Sequence, residues 1–469
     1  MKRLILICYL FFLCQYSFAQ FFEKLSTGAE FTVALGSDGI LWSWGFNTDG
    51  QLGINSSNPI VSTPQRVDGD DWVDIEAGAF HCLAIKSDGT LWSWGLNIQG
   101  QLGIGNFMQE SGPVQVGSEN DWIKVEAGQT HSFAIKVDGT LWAWGFNGFG
   151  QLGNNSTTNF NVPTQVNDQT DWADVAAGGA HSVALKSNGE LWSWGANFNG
   201  QLGDGSLVNS SIPVLVEGGN DWSAVDTGFK FSLALKNDGT IWSWGINANG
   251  QLGTGDTDNL YVPTQIGTGD NYRFVTAGAL FGFAINDQNE LFGWGANILG
   301  ELGIGNNTQQ NEPIQVGLDQ DWILVTGAEG ASFNPTSILG THSIGLKGDQ
   351  VSVCGSGANN VGQLGNGIPI YISSFDCSIA DGLVDVYDLP INKESFSVSP
   401  NPAADFIVIN HNWRSATISI VDLMGKVWLN EIANSDSKVL NITQFPKGIY
   451  WMRLQQNQRI ETKKIIKID

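Results

Sequence analysis

Apolar and polar residues alternate along this chain in short runs, and the runs recur. In Asp121-Trp122-Ile123-Lys124-Val125-Glu126-Ala127-Gly128 the alternation has a period of two, which predicts a half-buried strand. His131–Lys136 predicts a second strand, closed by Asp138-Gly139. Asp-Gly is expected here as a tight two-residue hairpin with both central residues at positive φ. Leu141-Trp142-Ala143-Trp144-Gly145 predicts a third strand whose tryptophans, two residues apart, share a face. A fourth strand is expected to begin at proline, Pro163-Thr164-Gln165-Val166, because proline cannot donate to a ladder. Between the third and fourth strands lies Gly150-Gln151-Leu152-Gly153, and this tetrad marks the repeat. It begins at Gly50, Gly100, Gly150, Gly200 and Gly250, returns as Gly300-Glu301-Leu302-Gly303, and appears a seventh time at Gly362, 12 residues late.

A period of 50 residues means one supersecondary unit repeated. Four antiparallel strands per unit, seven units and no segment of helical period predict an all-β chain folded as a seven-bladed β-propeller. Each small sheet buries its faces against its neighbours, and ring closure leaves only short edges. A horseshoe solenoid is the competing arrangement, disfavoured because neither terminal repeat carries a polar cap. Paired tryptophans such as Trp142 and Trp144 are expected to pack blade on blade, and Gly50, Gly53, Gly150 and Gly153 to hold the loop at positive φ.

The run Ala-Gly-x-x-His-Ser-x-Ala-Leu, then Asp-Gly-x-Leu-Trp-x-Trp-Gly-x-Asn, then Gly-Gln-Leu-Gly resembles the regulator of chromosome condensation repeat, over about Leu25 to Ile372. The resemblance implies a seven-bladed propeller. The last two units depart from it. The sixth has Gln288-Asn289 at its hairpin and Phe292-Gly293-Trp294 for its aromatic pair; the seventh has an insertion near Ala331–Thr341 and Val351–Gly355 as its third strand.

The two ends lie outside the repeat. Lys2-Arg3, the apolar run Leu4–Leu13 and Ser17-Phe18-Ala19 read as a signal peptide over residues 1–19. The run is too short to span a membrane as a helix, and no second apolar run is present. The propeller is then assigned to residues 20–390. Residues 391–469 change character and predict a small β-sandwich, with strands at Phe406–Ile409, Thr417–Val421 and Gly448–Leu454. Within it, Pro400-Asn401-Pro402, the Val421–Lys426 run with Gly425 and Lys426, Gly448-Ile449-Tyr450 and a basic end containing Lys464 resemble the type A sorting domain of the type IX secretion system. That resemblance implies engagement of the secretion machinery and delivery to the outer surface or medium of a Gram-negative cell. An ordinary appended sandwich is the plainer alternative.

Charge then narrows the partners. Residues 21–390 carry 10 basic against 39 acidic side chains, a net of −29, whereas residues 391–469 carry 10 against 7. So acidic a propeller repels phosphate backbones, so no nucleic-acid partner is expected. Of the three cysteines beyond the signal segment, Cys82 occupies a slot held by serine in sibling repeats, and a Cys354–Cys377 bridge is left open.

No nucleophile elbow, phosphate loop or metal motif appears, and neither cofactor nor metal is expected. His81, His131, His181 and His342 share one slot, which invites a metal ring. The slot holds Phe31, Phe231 and Phe281 elsewhere, so packing is the preferred reading. Asp71, Asp121, Asp171, Asp221 and Asp321 are expected to bond local amides at turns. Two functions remain: a secreted module that binds an extracellular protein or glycan through one loop face, or an extracellular hydrolase with its site in the central channel. Strand reversal puts the loops after Ala-Gly and those around Gly-Gln-Leu-Gly on one face. There Glu30, Phe80, Phe149, Phe229, Lys230, Leu280 and Leu299 vary between repeats, so they are the candidate binding residues, with Phe80, Phe149, Phe229 and Lys230 as anchors.

Overall fold

The computed structural model describes residues 22–267, 271–329, 340–349, 352–377, 396–399, 406–411, 416–422, 426–433, 437–456 and 459–467. The signal segment and residues 331–339 of the insertion in the seventh repeat lie outside these. Two compact units divide between Val386 and Tyr387.

The first unit is a seven-bladed propeller. Blades span 22–66, 72–115, 122–165, 172–215, 222–266, 272–315 and 322–376, and each is a four-stranded antiparallel meander in chain order. The first strand of each blade lies innermost, since neighbouring first strands contact one another around the ring. No helix among the described residues is long and apolar enough to cross a membrane.

The core lies between blades. In blade three, Trp122, Val125, Ala134 and Trp144 pack on Leu83, Ile85, Leu91 and Val116 of blade two. The same cluster recurs at each seam, and Phe22, Leu25, Trp42 and Trp44 close the ring on Ile344, Leu346 and Val353 of blade seven. The second tryptophan of each pair is fully buried, and its indole N–H donates across the seam to the glutamine carbonyl of the preceding tetrad: Trp144 to Gln101 at 2.8 Å, Trp194 to Gln151 at 2.8 Å, and Trp44 to Gln363 at 2.9 Å. The tetrad's last glycine is required by this contact. A Cβ on Gly153, at φ +69°, would sit 2.8 Å from Trp194 Nε1, and one on Gly53, at φ +67°, 2.6 Å from Trp94 Nε1. Gly50 and Gly150 also have positive φ, each pressed against the outermost strand of the next blade.

Two local expectations are corrected. The Asp-Gly hairpin is a three-residue loop: Gly139 N–H donates to the Lys136 carbonyl, Lys136 N–H to that of Thr140, and only the glycine takes positive φ. This is a type I turn with a following bulge glycine, and the aspartate instead caps Thr140 through its carboxylate. Asn289 fills the left-handed position, φ 60°, in blade six. The fourth strand runs Phe160–Gln165, so Pro163 lies inside it. Proline is tolerated because this outermost strand is bulged there: Ala143 pairs with Thr164 and Gly145 with Phe160, leaving Pro163 no ladder bond to make.

Blade seven lacks the tryptophan pair. Ser356 donates instead to the Glu301 carbonyl at 3.1 Å, and Phe375 fills the space against Trp322 with ring centroids 4.9 Å apart. A Cys354–Cys377 disulfide ties the third strand to the end of the fourth.

The second unit has two sheets, one of Phe396–Ser399, Phe406–His411 and Ser437–Asn441, the other of Val427–Ala433, Ala416–Asp422, Gly448–Gln456 and Arg459–Lys467. Its core includes Ile407, Ile409, Ile418, Ile420, Met452 and Ile465.

Candidate functional site

The histidine slot is a seam contact. His81 Nε2 lies 2.9 Å from Ser132 Oγ of the next blade, His131 3.1 Å from Ser182, His181 3.0 Å from Ser232, and His342 3.3 Å from Thr32. Burial pushes all four imidazoles down to about 3, so they are neutral. Packing is therefore their role, with a hydroxyl of the neighbouring blade as the side-chain partner. Cys82 takes the hydroxyl's place in blade two, is buried, and donates to the Gln51 carbonyl at 3.4 Å.

Four of the five aspartates before the blade tryptophans, all but Asp71, pair with lysines instead of local amides. Lys136 meets Asp121 at 3.2 Å, Lys186 meets Asp171 at 3.2 Å, and Lys236 meets Asp221 at 2.9 Å. Each ammonium also lies between two indoles, as Lys136 does 4.7 and 4.8 Å from the Trp122 and Trp142 ring centres.

Acids do converge on the axis. Glu76, Glu126 and Asp226 extend from innermost strands, and Glu329 follows that of blade seven. Burial and then repulsion from Glu76 and Asp226 raise the Glu126 carboxyl well above its usual range, and Glu329 is raised by burial and the other three. Burial pushes Asp226 up to about 6 despite bonds from Thr276 Oγ1 and the Thr227 and Ala277 amides. Burial alone would lower the Lys24 ammonium, but Glu76 and Asp74, each 2.6 Å away, outweigh it and hold it well above its ordinary value. Among the described residues no group of His, Cys, Asp and Glu is placed to hold a metal.

One end of the axis is narrowed by backbone. The first residue after each Ala-Gly donates to a carbonyl of the next blade, from Ala29 to Ala79 around to Phe229 to Ala279 and Glu329 to Thr27, at 3.0–3.4 Å. Ala29, Ala79 and Ala279 are small because they sit buried in this annulus. Beside it, Gln129, Thr227, Phe229 and Glu329 leave a cavity of only about 10 Å³, enough for one water.

The candidate binding residues divide. Phe149, Phe229 and Lys230 come together around a cavity of about 160 Å³ between blades three, four and five, with Gln201 at its wall. Phe198, which the variability argument missed, is 61% exposed there and stacks edge-on against Phe149 with centroids 5.7 Å apart. Its signal was the residue after the repeated asparagine, which reads Thr48, Ile98, Gly148, Phe198, Ala248 and Ile298 from blade to blade. Phe80, Glu30, Leu280 and Leu299 are half-buried on blades one, two and six, away from this cavity; burial raises the Glu30 carboxyl. A larger cleft of about 300 Å³ lies at the outer rim by Asn155, Trp192 and Ile212, with no charged side chain in its lining.

In the second unit Gly448 opens a nine-residue strand. Tyr450 is buried, donates its hydroxyl to the Pro446 carbonyl at 2.7 Å, and packs on Phe445 and Trp428, over which Lys426 lies at 3.8 Å. Lys464 pairs with Trp451 in register on the last strand, while Pro400, Asn401, Pro402 and Gly425 fall outside the described residues.

Against known families, residues 14–281 match the RCC1-like domain. The chain belongs to this family. RCC1-like propellers are mainly non-catalytic. Residues 397–468 match the secretion system C-terminal sorting domain, so this RCC1-like protein is routed by type IX secretion to the outer surface or medium. Among solved structures, human WBSCR16 aligns at 22% identity over 66% of this chain and 86% of its own, with a TM-score of 0.61. The structure of Kap60 bound to yeast RCC1 (Prp20) aligns at 19% identity over 76% and 85%, with a TM-score of 0.62. Prp20p from Saccharomyces cerevisiae aligns at 23% over 66% and 80%, with a TM-score of 0.59. These likenesses establish the fold. No curated protein sequence matches the chain.

Proposed function

We propose that this exported RCC1-like propeller is an interaction protein that binds an extracellular protein or glycan through the loop face, seated on the cavity between blades three, four and five. The observation that carries this reading is the meeting of Phe149, Phe198, Phe229 and Lys230 at one place, from three blades whose other loop residues differ. Further apolar side chains are exposed on loops of the same face, including Ile98, Met108, Val208 and Ile298. The acidity of the propeller argues against nucleic acid as the partner.

The channel-hydrolase reading has the converging acids in its favour. The histidines are sealed in seams, however, and the cavity at the loop-face end of the axis has no room for a sugar ring beside Glu329. The test is affinity capture from extracellular extracts by the full chain and by a Phe149→Ser/Phe198→Ser variant. Capture should be lost in the variant at an unchanged melting temperature. Loss through changes at the Asp-Gly hairpins would instead put the site on the opposite face.

A further inference from the structure

Resting on the loop-face reading, we infer that this cavity takes the last residue of a peptide chain: a large apolar side chain between the phenylalanines, with the free terminal carboxylate on Lys230. The volume limits the occupant. At about 160 Å³ the cavity falls below the roughly 300–1,000 Å³ of sites for drug-sized ligands, and so admits one side chain. Its walls are the rings of Phe149, Phe198 and Phe229 with Ala180 and Ala196.

The charges then choose the second group. The basic residues of the propeller are nearly all occupied: by axial acids at Lys24 and Lys124, by aspartates and indole faces at Lys136, Lys186, Lys236 and Lys347, by two indole faces at Lys86, by Asp70 at Arg66, and by the Trp322 carbonyl and Asn289 at Arg273. Lys230 has no carboxylate within ion-pair distance among the described residues and lies 5.2 Å from the centre of the Phe229 ring, at the rim of the cavity. The other polar group is Gln201. Its Oε1 is taken by the Asn199 amide at 2.9 Å, which leaves its N–H₂ as the group it can offer. The equivalent amide nitrogens of Gln51, Gln101, Gln151 and Gln251 are sealed without partners, whereas Gln201 borders the cavity.

Both polar groups are therefore donors. Two donor side chains and no acceptor side chain in the lining suit a carboxylate and suit poorly a sugar, whose hydroxyls need acceptors as well. The field of a propeller at −29 opposes a polyanion, so a single negative charge beside an apolar group fits best. A chain terminus ending in a large apolar residue supplies both within one residue.

The test uses the full chain and fluorescence anisotropy with three short synthetic peptides: one ending in phenylalanine with a free carboxyl group, the same peptide amidated, and the same sequence ending in glycine. The free acid should bind at least about tenfold tighter than the amide, as loss of a charge-assisted hydrogen bond implies. It should bind tighter than the glycine-ended peptide by a comparable factor. Lys230→Gln should erase the preference for acid over amide at an unchanged melting temperature. Equal binding of acid and amide, an unaltered preference in Lys230→Gln, or no binding by any of the peptides overturns the inference. The loop-face reading is judged separately, by whether Phe149→Ser/Phe198→Ser still captures a macromolecular partner.

Discussion

At the slot that opens the second strand, each histidine meets a hydroxyl of the next blade, from Ser132, Ser182, Ser232 or Thr32, while Phe31 and Phe231 face Cys82 and Gly282; Phe281 is the exception, since blade seven presents Ser343, whose hydroxyl donates to the Glu301 carbonyl at 2.8 Å. The pairing follows from burial, since a sealed ring nitrogen gains from a partner, and it serves Nε2 alone: Nδ1 of each of the four is buried without one among the described residues. Ser132→Ala should therefore cost about 1–3 kcal/mol by orphaning His81, and adding His81→Phe should recover part of that loss in urea denaturation. The tryptophans differ in the same way. Trp144 is fully buried and Trp142 half-buried, so Trp144→Ala should cost about 3–5 kcal/mol and Trp142→Ala clearly less. These roles were half legible: the repeat showed that the slot tolerates phenylalanine, but the hydroxyl partner lies 51 residues away across a seam.

Among the elements, the ring of innermost strands carries charge that the packing of the outer strands does not need. Among the described residues Glu126 bears no ion pair and accepts only a long 3.4 Å bond from Ala177 N–H, and it faces Glu76, Asp226 and Glu329 as well as Lys124 and Asp174. Its native carboxyl is raised above the ordinary 4.5, so the folded state binds a proton that the unfolded state has released, and stability is lost as pH rises above about 4.5. Glu126→Gln should raise the melting temperature at neutral pH, with the gain shrinking toward pH 4. The buried histidines act oppositely, losing stability as pH falls below 6.5 toward 3, but they are common to both proteins and cancel in the comparison. A gain independent of pH would show that Glu126 is not held protonated by its neighbours. Blade seven is the element that departs most from the pattern, and there the Cys354–Cys377 bridge closes a loop of 23 residues where the tryptophan is missing. Cys377→Ser should destabilise the propeller by about 2–4 kcal/mol in thermal melts under non-reducing conditions.

For the whole molecule, the sorting unit supplies the address, and contact with a partner is the role proposed for the propeller. Deleting residues 391–469 should leave the propeller in the periplasm; its normal appearance at the surface, followed by immunoblotting of cell fractions, would overturn that assignment. The amino-acid sequence by itself determined the blade count, the strand order within a blade, the sorting module and the acidity. Each of these is carried by residues close together or repeated at a constant spacing, and 50-residue periodicity is visible without coordinates. Even local chemistry was partly hidden: Asp-Gly is compatible with two hairpin geometries, and the strand pairing selected the one with a bulge. Only the tertiary structure decided that Phe149, Phe198, Phe229 and Lys230 meet while Phe80 stands apart, and that Glu76, Glu126, Asp226 and Glu329 share one axis. Repetition marks which positions are equivalent, but ring closure sets which equivalent positions become neighbours, and distance in space is what turns scattered side chains into a site.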